Sequence, residues 1–258
     1  MDYIAGYIGR KATITTNHIS NLFALTYRIF VLIFQKPKAG RALVRRITLE
    51  QVYFNCVQVL PIIIPIALVF GSTLIIQFAK VSGQYDLGKT MVMLIVRELG
   101  PVTTAILVIL RSATAVTIEI SYMNVFHEID AIEMAGIDPM RIVCLPRLIG
   151  ITSAILCLFI VFDILAIIGG YLIVWVFTYI PMGDFMTQIG KAITATDIAV
   201  GIIKTIFFGI AITVTCLKHG LSIKELTTDT AVSISKASIE CFFYCIVINV
   251  ITSILFYM

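Results

Sequence analysis

Charged residues are scarce in this chain, and that scarcity decides its class. Asp, Glu, Lys and Arg make up only 13% of the 258 residues, whereas soluble domains carry about 25%. Hydrophobic residues account for 59%, and the mean hydropathy is +1.02. These values exclude an ordinary soluble domain and indicate an all-α integral membrane protein. The net charge of +4 comes without a basic groove with interleaved aromatics, so nucleic-acid binding is not expected.

Several kinds of chemistry lack the residues that they require. The six cysteines lie in or beside apolar segments without a C-x-x-C pair, and the three histidines are scattered, so no metal site, disulfide or cofactor is predicted. No nucleophile, base and oxyanion set converges in the sequence, which argues against an enzyme. The N-terminus lacks the compact apolar core of a cleavable signal peptide.

What the chain does contain is five long apolar segments, at about 52–79, 89–118, 148–179, 198–217 and 237–257. Each is long enough to cross about 30 Å of hydrocarbon as a helix. Residues 1–35 alternate apolar and polar positions at helical spacing, which predicts a helix lying along the membrane interface. We therefore expect an interfacial helix and basic linker over 1–47 and a single transmembrane domain over 48–258. A capping-box pattern from Thr48 to Gln51 predicts that the first span begins there.

The distribution of Lys and Arg predicts the orientation. Eight of the nineteen basic residues precede the first span, and five lie in the second and fourth connections. Because basic residues concentrate in cytoplasmic segments, we expect a cytoplasmic N-terminus and a C-terminus outside. The segment Gly83–Thr90 fits the phosphate-loop pattern G-x-x-x-x-G-K-[ST], but it lies between two spans on the outer side, so we interpret it as a tight external turn.

Ionisable residues inside the spans are the candidates for function, because burying them in a membrane is costly. At about 100° per residue, Arg97, Arg111 and Glu119 fall on one polar stripe of the second helix, with Glu98 about 100° from Arg97. Arg97, Glu98 and Lys204 are expected to line a polar cavity, where a Lys can bind phosphate. For Arg111 and Glu119, an equal alternative is that the two charges pair between helices and stabilise the bundle. Asp163 fits either role.

A short acidic segment joins the second and third spans. It contains the polar residues His127, Glu128, Asp130, Glu133 and Asp138. Acids near its start and Gly136 near its end are typical of a short helix. The segment is either an ordinary interfacial helix or a docking site, and its acidity favours a protein partner over a lipid surface.

With these residues in view, the chain resembles the MlaE (YrbE) family of permeases, the membrane subunits of lipid-transporting ATP-binding cassette systems associated with MCE proteins. The resemblance covers nearly the whole chain and is strongest from Val96 to Gly150. It is carried by R-E-L-G-P from Arg97, the spacing of Arg111, Ala115 and Glu119, E-I-D-A-I-E-M-A-G-I-D-P from Glu128 with the following Arg141, Pro146-Arg147, and Ile203-Lys204-Thr205. Leu110 to Ala115 departs from a more glycine-rich family pattern, and His127 replaces a common acid.

The resemblance implies an interfacial helix, five transmembrane helices and a cytoplasmic coupling helix over 127–138 that docks on the ATPase. It also implies a homodimer in the bacterial inner membrane, with cytoplasmic ATPase subunits and a periplasmic MCE ring. Arg97, Glu98 and Lys204 would belong to an outward-facing phospholipid pocket. The expected function is a phospholipid permease that helps to maintain outer-membrane asymmetry, with ATP hydrolysed on a partner. Two alternatives are a proton-coupled secondary transporter working through Glu98 and an intramembrane enzyme using Glu98 or Asp163.

Overall fold

The computed structural model describes residues 20, 22–29, 31–32, 41–81, 93–177, 182–223 and 228–257, and these residues form helices and short connections without a strand. Residues 22–29 of the predicted interfacial helix are helical, while its position at a membrane surface stays a prediction. The phosphate-loop pattern at Gly83–Thr90 lies outside the described residues. The proposed boundary between 1–47 and 48–258 also stays a prediction.

Five helical stretches are long and apolar enough to cross a membrane. They are the first span Ala42–Gln77, the second span Leu94–Val125, the third span Met140–Ile173, the fourth span Ala195–Ser222 and the fifth span Val232–Phe256. The predicted all-α membrane fold with five spans is confirmed. The first, third, fourth and fifth spans begin before the predicted apolar segments, and the second and fourth end after them, because more polar turns continue the helix without adding to the hydropathy signal.

The first span is interrupted near its prolines, as the sequence indicated. A helix over Arg41–Cys56 is followed by a 3₁₀ turn over Val57–Val59 and a helix over Leu60–Val81. Pro61 has no N–H for the carbonyl of Val57, which instead accepts from the backbone N–H of Leu60. The predicted helix start at Thr48 is wrong, because the helix already begins at Arg41. Thr48 lies inside it, and its Oγ1 donates a hydrogen bond of 2.7 Å to the Val44 carbonyl.

Wider π-helical turns interrupt the second and third spans. The second span runs through a π segment at Met93–Leu99, a helix at Gly100–Val108, a π segment at Ile109–Ala113 and a helix at Thr114–Val125. The third runs through a π segment at Met140–Cys144, a helix at Leu145–Ile164, a π segment at Leu165–Gly169 and a helix at Gly170–Phe177. The first π segment in each span ends two residues before a proline, which cannot donate to the carbonyl four residues back.

Two short helices connect the spans. The short acidic helix Glu128–Met134 follows His127, whose φ is 56°, and ends before Gly136, whose φ is 77°. Glycine tolerates that left-handed conformation without strain. The helix Met182–Ala192 lies between the third and fourth spans. The remaining helices are Ala195–Ser222 and Thr228–Tyr257.

The first and third spans approach each other closely at glycine. A Cβ atom added to Gly71 would lie 2.0 Å from the backbone oxygen of Ala166, and one added to Gly170 would lie 2.6 Å from the carbonyl carbon of Gly71. Small residues allow two membrane helices to approach with their backbones in contact. The helix Arg41–Cys56 also packs against the third span, and the fifth span packs against the fourth.

The glycine contact gives a stability test. Gly71→Ala places a methyl group against a backbone atom that cannot rotate away, so we expect destabilisation of about 1–3 kcal/mol and a lower Tm in detergent. Gly183→Ala is the matched control, since no atom lies within 4 Å of its added Cβ. Equal thermal unfolding curves for the two variants would contradict the close packing of the first and third spans.

Candidate functional site

The second, fourth and fifth spans meet around a buried ammonium group. Lys204 is 0% exposed. Its Nζ donates hydrogen bonds to the Arg97 carbonyl (3.0 Å), to Glu98 Oε1 (3.1 Å) and to Ser253 Oγ (2.8 Å). An ammonium has three N–H donors, and these contacts use all of them. The desolvated charge is therefore fully hydrogen-bonded.

Glu98 completes this polar cluster. Its Oε1 accepts 2.7 Å from Ser253 Oγ, and its Oε2 accepts 2.8 Å from Asn249 Nδ2. We call Glu98, Lys204, Asn249 and Ser253 the Lys204 cluster. The Glu98 side chain is 36% exposed, whereas Lys204 is enclosed. The carboxylate thus forms the accessible side of the cluster.

A proline supplies the Lys204 cluster with an acceptor. In a regular α-helix the Arg97 carbonyl would accept from the N–H of residue 101, but Pro101 has none. Lys204 Nζ donates to that carbonyl instead. The π segment Met93–Leu99 contains both Arg97 and Glu98. The Lys204 ammonium therefore binds a backbone carbonyl of this irregular segment.

Arg97 and Glu98 contact different partners, as their angular separation predicted. Arg97 Nη2 lies 2.7 Å from Asp197 Oδ1, and the Asp197 side chain is 0% exposed. The other Asp197 oxygen accepts from the Thr194 backbone N–H at 3.1 Å and from its hydroxyl at 2.6 Å. Asp197 thus caps the fourth span and pairs with the second span at once.

Asp163 lies beside the second span but outside these pairs. Its Oδ1 is buried and accepts no hydrogen bond from the residues that the structure describes. A Cβ atom on Gly100 would lie 2.4 Å from that oxygen, so the absence of a side chain at Gly100 makes room for the carboxyl group.

Arg111 and Glu119 each contact another helix, but not each other. Arg111 Nη2 donates to Gln58 Oε1, and the guanidinium carbon lies 4.7 Å from the centroid of the Phe54 ring. Glu119 Oε1 lies 2.7 Å from Arg147 Nη2. Together with Arg97, these residues contact three different spans, so the predicted single stripe is wrong. The π segment Ile109–Ala113 changes the helical phase between them.

Polar contacts also join the span ends that lie near the short acidic helix. Arg147 connects the second and third spans through Glu119. Asn124 Nδ2 donates 3.1 Å to the Leu221 carbonyl and 2.7 Å to the Ile223 carbonyl, which connects the second and fourth spans. His219 Nε2 lies 3.0 Å from Glu240 Oε2, between the fourth and fifth spans. The four spans are thus connected at this end as well.

The short acidic helix presents its polar side chains to the outside. His127 Nδ1 lies 2.7 Å from Asp130 Oδ2, and Asp138 Oδ1 accepts 3.0 Å from the Met140 backbone N–H. Met134 is 83% exposed. The predicted contact residues His127, Glu128, Asp130, Glu133 and Asp138 are all exposed. Their role in binding a partner stays a prediction.

Sequence comparison identifies the group to which this arrangement belongs. The sequence model of the family described as Permease MlaE matches residues 48–255. The chain belongs to the MlaE permease family. It is 32% identical to the intermembrane phospholipid transport system permease protein MlaE of Haemophilus influenzae, over 72% of this chain and 76% of that protein.

Two further relatives have less specific names. A probable ABC transporter permease protein of Rickettsia typhi is 26% identical over 82% of this chain and 81% of its own length. Another from Synechocystis is 29% identical over 78% of this chain and 76% of its own length. The resemblance recognised in the sequence is confirmed at the level of the family.

The sequence identified three of the charged residues at this site but missed their neutral partners. Arg97, Glu98 and Lys204 stand out because charge is rare inside apolar segments. Asn249 and Ser253 do not, because neutral polar residues occur throughout membrane helices. Asp197 could have been recognised from T-A-T-D, a Thr with an acid three residues later ahead of an apolar run.

The Lys204 cluster makes a prediction for coupled mutants. Lys204→Met removes the cation and leaves Glu98 uncompensated, while Glu98→Gln removes the anion and retains an acceptor. We expect each single change to cost about 1–3 kcal/mol in thermal unfolding. The double variant should lose at least about 0.5 kcal/mol less than the sum.

An exposed lysine of the fifth span provides the control for this cycle. Lys236→Met changes the same residue type outside the cluster and should leave the Tm unchanged. Strict additivity of the Lys204 and Glu98 changes would contradict the direct contact between them.

Proposed function

We propose that this chain is the membrane-spanning permease subunit of an ATP-binding cassette transporter that moves phospholipid between the bacterial inner membrane and a periplasmic conduit of MCE proteins. The observation that carries the proposal is its likeness to the phospholipid transport permease of Haemophilus influenzae over most of both chains. In this role the transporter helps to maintain the lipid asymmetry of the outer membrane.

The chain acts as a homodimer and hydrolyses no ATP itself. The names of the rickettsial and cyanobacterial relatives support a partner ATPase, since both are described as probable ABC transporter permeases. The ATPase is a separate cytoplasmic subunit in this proposal. The short acidic helix is its docking element, and Glu128 and Glu133 are the central contacts.

The positions of the polar groups support one orientation in the membrane. Glu98 lies near the start of the second span, Lys204 in the first half of the fourth, and Ser253 near the end of the fifth. In an alternating bundle these ends lie on the same side. With the basic N-terminal segment in the cytoplasm, the Lys204 cluster faces the periplasm and the short acidic helix faces the ATPase.

The head group binds by exchanging with contacts inside the Lys204 cluster. Because Glu98 and Ser253 occupy donors of Lys204 Nζ, a lipid phosphate gains that ammonium only by displacing one of them. The Arg97 side chain is 19% exposed and supplies a second cation at the same level. Binding of a phosphate therefore loosens a contact between the second, fourth and fifth spans, which links lipid occupancy to helix movement.

Force on the short acidic helix reaches these spans through its two attachments. The Glu119–Arg147 pair joins the helices that precede and follow it, and Asn124 joins the first of these to the fourth span. Movement of the short acidic helix during ATP hydrolysis would thus shift several spans together. This is the direction of coupling that an ATP-driven permease requires.

A reciprocal co-purification experiment tests both halves of the proposal. The chain is purified in mild detergent with its cellular partners, and the same eluate is analysed for protein and phospholipid. We expect Glu128→Lys with Glu133→Lys to lose the ATPase and retain the lipid, because only the docking charge is reversed. We expect Lys204→Ala to retain the ATPase and to carry less phospholipid, because the head group at the Lys204 cluster loses its ammonium partner.

Two charge changes elsewhere serve as controls. Lys191→Ala and Lys236→Ala each remove an exposed lysine, so neither should change the eluate. Stoichiometric ATPase with the doubly reversed helix would refute docking there. Unchanged phospholipid with Lys204→Ala would refute head-group binding at the cluster.

A further inference from the structure

One cation of the second span is not neutralised by any described part of the chain. The Arg111 guanidinium donates to Gln58 and lies over the Phe54 ring. No carboxylate within the described ranges lies at ion-pair distance from it. A guanidinium carries five N–H donors, so most of its donors are open while its plane is held by an aromatic ring and an amide.

The surroundings of Arg111 open to the outside of the bundle. The neighbouring Leu110 is 68% exposed, and Phe54 is 37% exposed. A groove of about 490 Å³ follows the first span at this point and is lined by Leu49, Glu50, Gln51, Tyr53, Phe54 and Gln58. Two of these six residues, Phe54 and Gln58, are the ones that Arg111 contacts. The cation therefore lies at one end of an open groove.

The charges near the groove favour an anionic ligand group. The lining of the groove contains one carboxylate, Glu50, which lies 3.0 Å from Arg46. This pair therefore contributes no net negative charge to the groove. A cation at the outer surface of a membrane bundle is unfavourable unless an anion or water compensates it. The planar guanidinium fork matches two oxygens of a phosphate. In a bilayer, the phosphate available at such a surface is that of a lipid.

The location also separates this groove from the Lys204 cluster. Arg111 follows Glu98 by thirteen positions, or about 20 Å along a helix at 1.5 Å per residue. One head group cannot contact both places. Tyr53 is 58% exposed in the groove, and exposed aromatic residues are typical of the level of the lipid head groups.

We propose that Arg111 and the groove along Leu49–Gln58 bind the phosphate of a membrane phospholipid at a second site, distinct from the Lys204 cluster. The Phe54 ring and the Gln58 amide hold the guanidinium in place, and the lipid head group lies in the groove between Gln58 and Tyr53. The inference depends on the proposed function only in placing the chain in a phospholipid membrane. It places a lipid-binding site nearer to the short acidic helix than the Lys204 cluster is.

The test counts bound lipid on the full chain. Protein stripped of lipid in detergent is titrated with dioleoylphosphatidylglycerol and followed by native mass spectrometry, with dioleoylglycerol as the phosphate-free probe. We expect two phosphatidylglycerol molecules on the unaltered chain and one on Lys204→Met. Arg111→Gln should weaken binding of the other about tenfold, since charge-assisted hydrogen bonds are lost. Binding of dioleoylglycerol should not change.

The same titration separates the two lipid proposals. Loss of lipid in Lys204→Met with full binding in Arg111→Gln would overturn the Arg111 site and leave the proposed function standing. The reverse pattern would support the Arg111 site and count against head-group binding at the Lys204 cluster. Dissociation of a dimer by Arg111→Gln without lipid loss would also overturn the Arg111 site, because a second copy would then supply the anion.

A second measurement leaves Arg111 in place, so it does not depend on the folding of that variant. Photoreactive p-benzoylphenylalanine at position 53 should crosslink phosphatidylglycerol at equimolar lipid in detergent. The same group at position 69, on the same span and also exposed, serves as the control. We expect at least about fivefold more crosslinking at position 53 than at position 69, because a charge-assisted contact holds the lipid beside position 53. Equal crosslinking at the two positions would overturn the site.

Discussion

The structure depends on hydrogen-bonding all three donors of one ammonium group that is buried inside a membrane bundle. Burial of the Lys204 charge is tolerable only because Glu98, Ser253 and the Arg97 carbonyl meet all three of its donors. That requirement draws the second, fourth and fifth spans together, and it uses the carbonyl that Pro101 frees. Apolar packing alone would not specify this register, since one apolar helix face resembles another in lipid. The Lys204 cluster therefore determines which turns of the three helices face one another.

Polar contacts join the second to fifth spans at two levels of the bundle, and the Arg111–Gln58 contact with the first span lies between these levels. Glu98 and Glu119 are twenty-one positions apart on the second span, or about 30 Å along a helix, close to the thickness of the hydrocarbon. At the Glu98 level the contacts join the second, fourth and fifth spans, and at the Glu119 level they extend to the third. The first span instead approaches the third through Gly71 and Gly170. Such an arrangement allows a displacement at one level to reach the other through whole helices.

The sequence predicted the class, the number of spans and the cationic residues of the site, because hydropathy and the cost of membrane charge are local properties. It could not predict which residues meet. The Arg97–Arg111–Glu119 stripe assumed a uniform α-helix, and the π segments of the second span invalidate that assumption. The helix start at Thr48 was wrong because the polar turns from Arg41 continue the same helix. Asn249 and Ser253 are recognisable only once the fifth span is seen to pack beside Glu98.

The central claim is that ATP hydrolysis on a partner drives phospholipid through this permease. Its most direct test is transfer of a fluorescent phospholipid from proteoliposomes that contain the chain with its co-purified ATPase to a soluble MCE-domain acceptor. Our account predicts transfer, in one direction or the other, that requires hydrolysable ATP and is unaffected when a proton gradient is collapsed. Transfer by the chain alone, driven by a proton gradient in the absence of ATP and ATPase, would contradict it.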